Sequence, residues 1–108
     1  RLLGQKVTAT VLFTDLKNFS TISEQLEPED LMLWLNEYMS AMSQLVLEQG
    51  GVVDKFIGDA IMAVFGVPIP RTTPEEIAED ARKAVRCALK MATTLRDLNM
   101  RWKEQGLP

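Results

Sequence analysis

In the stretch Val53-Asp54-Lys55-Phe56-Ile57-Gly58-Asp59-Ala60-Ile61-Met62-Ala63-Val64-Phe65, two apolar, strand-like runs meet at a Gly-Asp pair, so the chain must fold back on itself there. A tight reversal often needs φ > 0, which glycine supplies, and aspartate tolerates the adjoining position. The pattern predicts a β-hairpin that holds the Asp59 carboxylate at a strand end, with Lys55 on the incoming strand. A solvated hairpin tip accounts for an isolated Gly-Asp pair. A second carboxylate shifts that weighting. The run Val7-Thr8-Ala9-Thr10-Val11-Leu12-Phe13-Thr14 ends on Asp15, so two strands are expected to deliver an aspartate each to one edge of a sheet.

Composition narrows the chemistry open to these carboxylates. The 108 residues contain no histidine, which removes Ser-His and Cys-His nucleophilic catalysis and imidazole base chemistry from this segment. The single Cys87 excludes an internal disulfide and a thiolate metal site, and it fits a reducing, cytoplasmic compartment as a small buried apolar residue. Apolar residues make up 46% of the chain, enough for the core of one soluble domain. The net charge of −3 divides into −5 over residues 1–54 and +2 over residues 55–108, with no basic patch interleaved with aromatics. Nucleic acid is therefore a poor partner. No apolar run approaches the ~20 residues of a membrane span. The chain starts at Arg1 and breaks off at Gly106-Leu107-Pro108, and it is expected to be a piece of something longer.

Residues 1–6 read as a linker. In the first strand Val7, Ala9, Val11 and Phe13 share one face and Thr8, Thr10, Leu12 and Thr14 the other, a weakly apolar pattern that suits a central strand. After Asp15, the residues Asn18, Ser20 and Thr21 are candidate caps of a short helix, and Thr21-x-x-Glu24 matches a capping box. A strand would thus run through an aspartate into a helix start, whose unpaired amides suit phosphate oxygens. An ordinary strand-to-helix loop has the same pattern. A second helix begins at Glu27-Pro28-Glu29-Asp30, with Leu31, Leu35, Tyr38, Met42 and Leu45 as its core stripe, widened by Trp34, Met39 and Val46. Gly50-Gly51 ends it and opens the hairpin. The return strand, apolar on both faces, reads as covered on both sides. A loop from Gly66 to Arg71 contains Pro68 and Pro70. Thr73-Pro74-Glu75-Glu76 then starts a third helix, with Ile77, Ala81, Ala84, Val85, Ala88, Ala92, Leu95 and Leu98 inward, ended by Gly106 and Pro108. The order β-α-α-β-β-α predicts an α+β fold, a ferredoxin-like layered sheet with helices, incomplete at its C-terminus.

The motifs Leu12-Phe13-Thr14-Asp15-Leu16-Lys17-Asn18-Phe19-Ser20 and Asp54-Lys55-Phe56-Ile57-Gly58-Asp59-Ala60 closely resemble those of class III nucleotidyl cyclases, in particular bacterial adenylyl cyclases of the cyanobacterial type. The resemblance includes the spacing of the two aspartates and the Gly50-Gly51 entrance, and it makes residues 7–108 the N-terminal part of a catalytic domain. It implies that Asp15, Asp59 and the Leu16 carbonyl hold two Mg²⁺ or Mn²⁺ ions. The backbone of Asn18, Phe19 and Ser20 would hold the β- and γ-phosphates, Asn18 standing where family members often have Gly. Lys55 matches the adenine-contacting position that is typically Glu in guanylyl cyclases, which favours ATP over GTP. The implied reaction is attack of the ribose 3′-hydroxyl on the α-phosphorus, giving 3′,5′-cyclic AMP and pyrophosphate without a histidine base. In the family two domains pair head to tail, so that Lys55 and Asp59 of one chain would serve different sites. The transition-state Asn and Arg would lie beyond Pro108, and sensory or regulatory domains are expected upstream. Two rivals are a non-catalytic cyclase-like pairing module, which commonly loses a metal aspartate, and a guanylyl cyclase. The diguanylate cyclase and polymerase-palm group also pairs carboxylates on such a sheet, but its Gly-Gly-acid hairpin signature is absent at Ile57-Gly58-Asp59.

Overall fold

The computed structural model describes residues 6–67 and 71–104. Its elements are β1 (Thr10–Thr14), α1 (Phe19–Gln25), α2 (Pro28–Glu48), β2 (Val52–Ile57), β3 (Ala60–Phe65) and α3 (Pro74–Glu104), the β-α-α-β-β-α order that the sequence predicts. The sheet is antiparallel with strand order β1-β3-β2. The return strand of the hairpin is therefore central. Its alternation buries Ile61, Ala63 and Phe65 against the helices and leaves Met62 and Val64 half-buried on the opposite face. At roughly 2–3 kcal/mol for each fully buried large apolar side chain, Ile61 and Phe65 are principal anchors of the layer.

Strand β1 differs from the sequence expectation: it starts at Thr10 rather than Val7 and pairs with β3 alone, at an edge of the three-stranded sheet. Leu12 packs toward the core, while Val11 and Phe13 are 53% and 58% exposed on the other face. Strand β2 carries a bulge between Val53 and Lys55: Val53 pairs with Ala63 and Lys55 with Met62, so Asp54 is the extra residue. The hairpin closes with Ile57 opposite Ala60, and Gly58 at φ +60° supplies the positive φ expected of that turn.

Helix α2 starts as predicted, with Pro28 in the first turn after the cap residue Glu27. Its fully buried row is Trp34, Tyr38, Met42 and Val46; Leu31, Leu35 and Leu45, expected at the centre of the stripe, lie at its margin. Helix α3 is rotated further from expectation. Asp80, Ala84, Cys87, Met91, Leu98 and Trp102 are buried, whereas Ile77, Ala81, Val85 and Ala92 are exposed. The inner face includes a buried aspartate: Asp80 turns inward to meet Arg71, at 2.8 Å from Nε and 3.2 Å from Nη2, in phase with the buried Cys87, Met91, Leu98 and Trp102. The α2 C-terminus closes with Gly50 and Gly51 amides donating to the carbonyls of Leu47 and Val46, at 3.0 and 2.9 Å. Cys87 is free and buried, as expected. Residues 1–5 of the expected linker, Pro68 and Pro70 in the loop, and the Gly106-Pro108 helix stop lie outside the described residues. Among the described residues no helix is long and apolar enough to cross a membrane.

Candidate active site

The pairing of β1 with β3 sets Thr14 opposite Ile61, and the hairpin sets Ile57 opposite Ala60. Asp15, one residue past β1, and Asp59, in the turn before β3, are thereby brought to the same end of the sheet. Their carboxyl groups come close enough for each to shift the other's titration. Asp59 Oδ2 also accepts the Leu16 amide at 2.9 Å, which ties the hairpin turn to the entrance of the β1–α1 loop. Hydrogen bonding with Asp59 and the charge on it hold the Asp15 carboxyl above its ordinary value. For Asp59, burial pushes upward, but the hydrogen bonds from Asp15, from the Leu16 amide and from its own amide hold it below the ordinary range. Two adjacent carboxylates resist ionising together, so the two values are pushed apart. Tyr38, buried on α2, senses the same field: burial raises its hydroxyl pKa most, and the charges on Asp59 and Asp15 push the same way.

The β1–α1 loop runs into α1 through Asn18, which adopts φ +62° and ψ +27°. This left-handed conformation is routine for Gly and tolerated by Asn. Neither the Asn18 side chain nor a Thr21–Glu24 box caps the helix: α1 begins at Phe19, so Thr21 is already inside it, and among the described residues no side-chain cap forms. Those amides, including the ones of Phe19 and Ser20, carry no side-chain cap at the loop that also bears Asp15. Lys55 stands apart from the carboxylates. Its side chain is 56% exposed, it pairs with Asp54 at 3.7 Å, and its register partner Met62 places it on the sheet face away from the helices. Among the described residues it forms no ion pair with Asp15 or Asp59.

Hard carboxylate oxygens that repel each other unless a proton or cation intervenes fit a divalent ion such as Mg²⁺ or Mn²⁺. Among the described residues no cluster of three Asp, Glu, Cys or His side chains forms, so further ligands would come from backbone, water or a substrate. Sequence reading missed two features near the site. One is Tyr38, whose hydroxyl feels the charges of the pair and which was assigned only to packing; the other is the stacking of Phe19 on Trp34, at 6.2 Å between ring centroids. Ring type and helical spacing were visible for both, but the partner across the fold was not.

Comparison with known proteins agrees with this geometry. Residues 4–107 match the adenylate and guanylate cyclase catalytic domain. Adenylate cyclase 1 of Rhizobium meliloti (strain 1021) is 36% identical over 104 residues, 96% of this chain and 14% of that protein. The adenylate cyclase of Anabaena cylindrica is 45% identical over 56 residues, 52% of this chain and 11% of that protein. Among solved structures, the adenylyl cyclase CyaB from P. aeruginosa superposes with a TM-score of 0.84 at 37% identity, over 93% of this chain and 49% of that one. The guanylyl cyclase Cya2 gives 0.80 at 35% identity, over 93% of this chain and 48% of that one. The chain thus spans about half the length of these solved cyclases and a smaller share of the curated relatives. With the family matched across nearly all of its residues, the chain belongs to the class III adenylate and guanylate cyclase catalytic domains.

Proposed function

We propose that residues 7–108 are the N-terminal part of an adenylyl cyclase catalytic domain, working in the cytoplasm behind sensory or regulatory domains, which converts ATP to 3′,5′-cyclic AMP and pyrophosphate at a head-to-tail homodimer interface. The observation that carries the reading is the meeting of Asp15 and Asp59 at one sheet end, beside the Leu16 amide and the uncapped start of α1. Asp15, Asp59 and the Leu16 carbonyl are the residues that would hold two Mg²⁺ or Mn²⁺ ions. When bound, such ions supply activation of the attacking ribose hydroxyl and neutralisation of the departing pyrophosphate. The protein's own part is placement. Asp15 and Asp59 would turn their oxygens to such a cation, and the backbone of Asn18, Phe19 and Ser20 would take the β- and γ-phosphates. Lys55 reads adenine, which favours ATP over GTP although solved relatives include both kinds of cyclase. Its exposed position on the open sheet face supports action on the site of a paired subunit.

Mixing two inactive variants tests the metal and base assignments together. In the parent protein carrying its complete catalytic domain, Asp59→Ala and Lys55→Ala should each be nearly inactive. A mixed dimer would have one site with both lesions and one with neither. With free subunit exchange half the dimers are mixed, so Mn²⁺-dependent cyclic AMP formation should recover to about a quarter of wild type. If exchange is shown with labelled subunits and no activity returns, Lys55 does not act across the interface.

A further inference from the structure

The loop between β1 and α1 is tied down at both ends by contacts of different kinds. At its entrance the Leu16 amide donates to the Asp59 carboxylate at 2.9 Å. At its exit the ring of Phe19, the first residue of α1, stacks on Trp34 of α2, with 6.2 Å between centroids and 16° between planes. Trp34 in turn packs against Trp102 of α3 at 5.1 Å and 48°. Trp102 Nε1 donates to Glu37 Oε1 on α2 at 2.8 Å, which fixes the far end of the column. Three rings from three helices therefore end beneath the turn at Asn18.

Helix α1 has little else to hold that turn. It is seven residues long, has no fully buried residue and no side-chain cap, and begins at a left-handed asparagine that L-residues generally avoid. Trp34 itself is 4% exposed, and among the described residues its Nε1 has no hydrogen-bond partner. Buried tryptophans usually satisfy that donor, and an aliphatic side chain would fill a core position without stranding one. What an indole adds at this position is therefore ring surface, one part facing Phe19 and another facing Trp102.

We propose that Trp34 is a positioning residue for the β1–α1 turn: its stack on Phe19 holds the backbone of Asn18, Phe19 and Ser20 in the conformation that receives the triphosphate of a nucleotide substrate. This rests on the proposed cyclase reading for the identity of the ligand, but the tether is a property of this chain alone. Trp34 acts through Phe19 and touches no substrate. Removing either ring loosens the turn, and a smaller ring at position 34 retains part of the stack.

The test uses the parent protein with Trp34→Leu, Trp34→Phe, Phe19→Leu and the double Leu variant. Amide exchange at Ile22, whose N–H bonds to the Asn18 carbonyl at 3.0 Å, reports the turn without any ligand, and the amide of Ala63 in β3 serves as the reference for global opening. Relative to that reference, Ile22 exchange should rise roughly three- to tenfold in each Leu variant, the range expected for one aromatic pair. The double variant should be no faster than the singles, and Trp34→Phe should stay near wild type. The KM for ATP should rise by a similar factor, with kcat changed less than about twofold. Because Phe19 is only partly buried, Phe19→Leu carries the test if Trp34→Leu does not fold. Unchanged Ile22 exchange, or effects that simply add in the double variant, overturn the tether and leave the Asp15 and Asp59 assignment standing. Faster exchange with an unchanged KM overturns the link to the triphosphate, and the phosphate assignment of the turn falls with it.

Discussion

At the start of α3, Glu76 Oε1 accepts the amides of Thr72 and Thr73, each at 3.1 Å, and both threonine hydroxyls at 3.2 Å, while Thr73 Oγ1 accepts the Glu76 amide. At the start of α1 no such cap forms among the described residues. The contrast continues behind the two helices. Asp80, 2% exposed, anchors α3 through its paired bonds to Arg71. Gly66 makes room for that pair: at φ +114°, any Cβ there would lie 2.7 Å from Asp80 Oδ2. Helix α1 has only half-buried apolar contacts, through Phe19 and Ile22. One helix start uses its polar groups to hold the fold, and the other has no such cap among the described residues. Local stability is thus concentrated where no chemistry is proposed and withheld where binding is.

Three substitutions sharpen this contrast, in descending order of effect. Asp80→Ala removes a buried carboxylate and strands Arg71, so unfolding free energy measured in urea should fall by about 3 kcal/mol. The KM of the protein that remains folded should not move. A loss under about 1 kcal/mol would show that the pair does not anchor α3. Asn18→Val puts a β-branched residue at a left-handed position and should cost roughly 1–2 kcal/mol relative to Asn18→Gly, which should match or exceed wild type in stability. Here, unlike at α3, KM should rise together with the stability loss. Thr73→Ala removes one arm of the α3 box and should cost about 1 kcal/mol with KM unchanged.

The other arm of that box predicts a pH dependence. The amides of Thr72, then of Thr73, hold the Glu76 carboxyl below its ordinary value of 4.5. A carboxylate whose folded value is depressed stabilises the fold above its unfolded value, and that stabilisation fades as pH falls through the folded one. The gap in thermal midpoint between wild type and Glu76→Gln should therefore be widest at neutral pH and should narrow on acidification below 4.5. A gap that widens in acid would contradict the assignment.

The same two helix starts show what a sequence exposes to inspection. The Thr73-Pro74-Glu75-Glu76 box was legible because its partners lie within four residues of one another. Asp15 and Asp59 were legible for a related reason: each follows or interrupts a run whose alternation fixes a strand end, and antiparallel pairing brings the ends together. The phase of α3 was not legible. Its outer face, with Ile77, Ala81, Val85 and Ala92, is apolar enough to pass for a core stripe, and the true inner face contains a charge neutralised by Arg71. Periodicity counts Asp80 as polar and cannot see a partner supplied by another segment. The Thr21–Glu24 match failed for the opposite reason. Its local pattern was correct, but the left-handed Asn18 starts the helix early and leaves Thr21 inside it.

The bulge in β2 bears on which changes in chain length the hairpin can absorb. From the turn back to Lys55 the ladder is regular, and Val53 resumes it opposite Ala63 as though Asp54 were not there. Loss of Asp54 would therefore close the strand into an unbroken ladder with Val53 still inward and Lys55 still outward. An insertion or deletion between Lys55 and Ile57 would exchange the faces of the residues before it, exposing Val53 and turning Lys55 toward the apolar layer. Homologous hairpins that vary in length are accordingly expected to vary at position 54, with the count from Lys55 to Asp59 held constant.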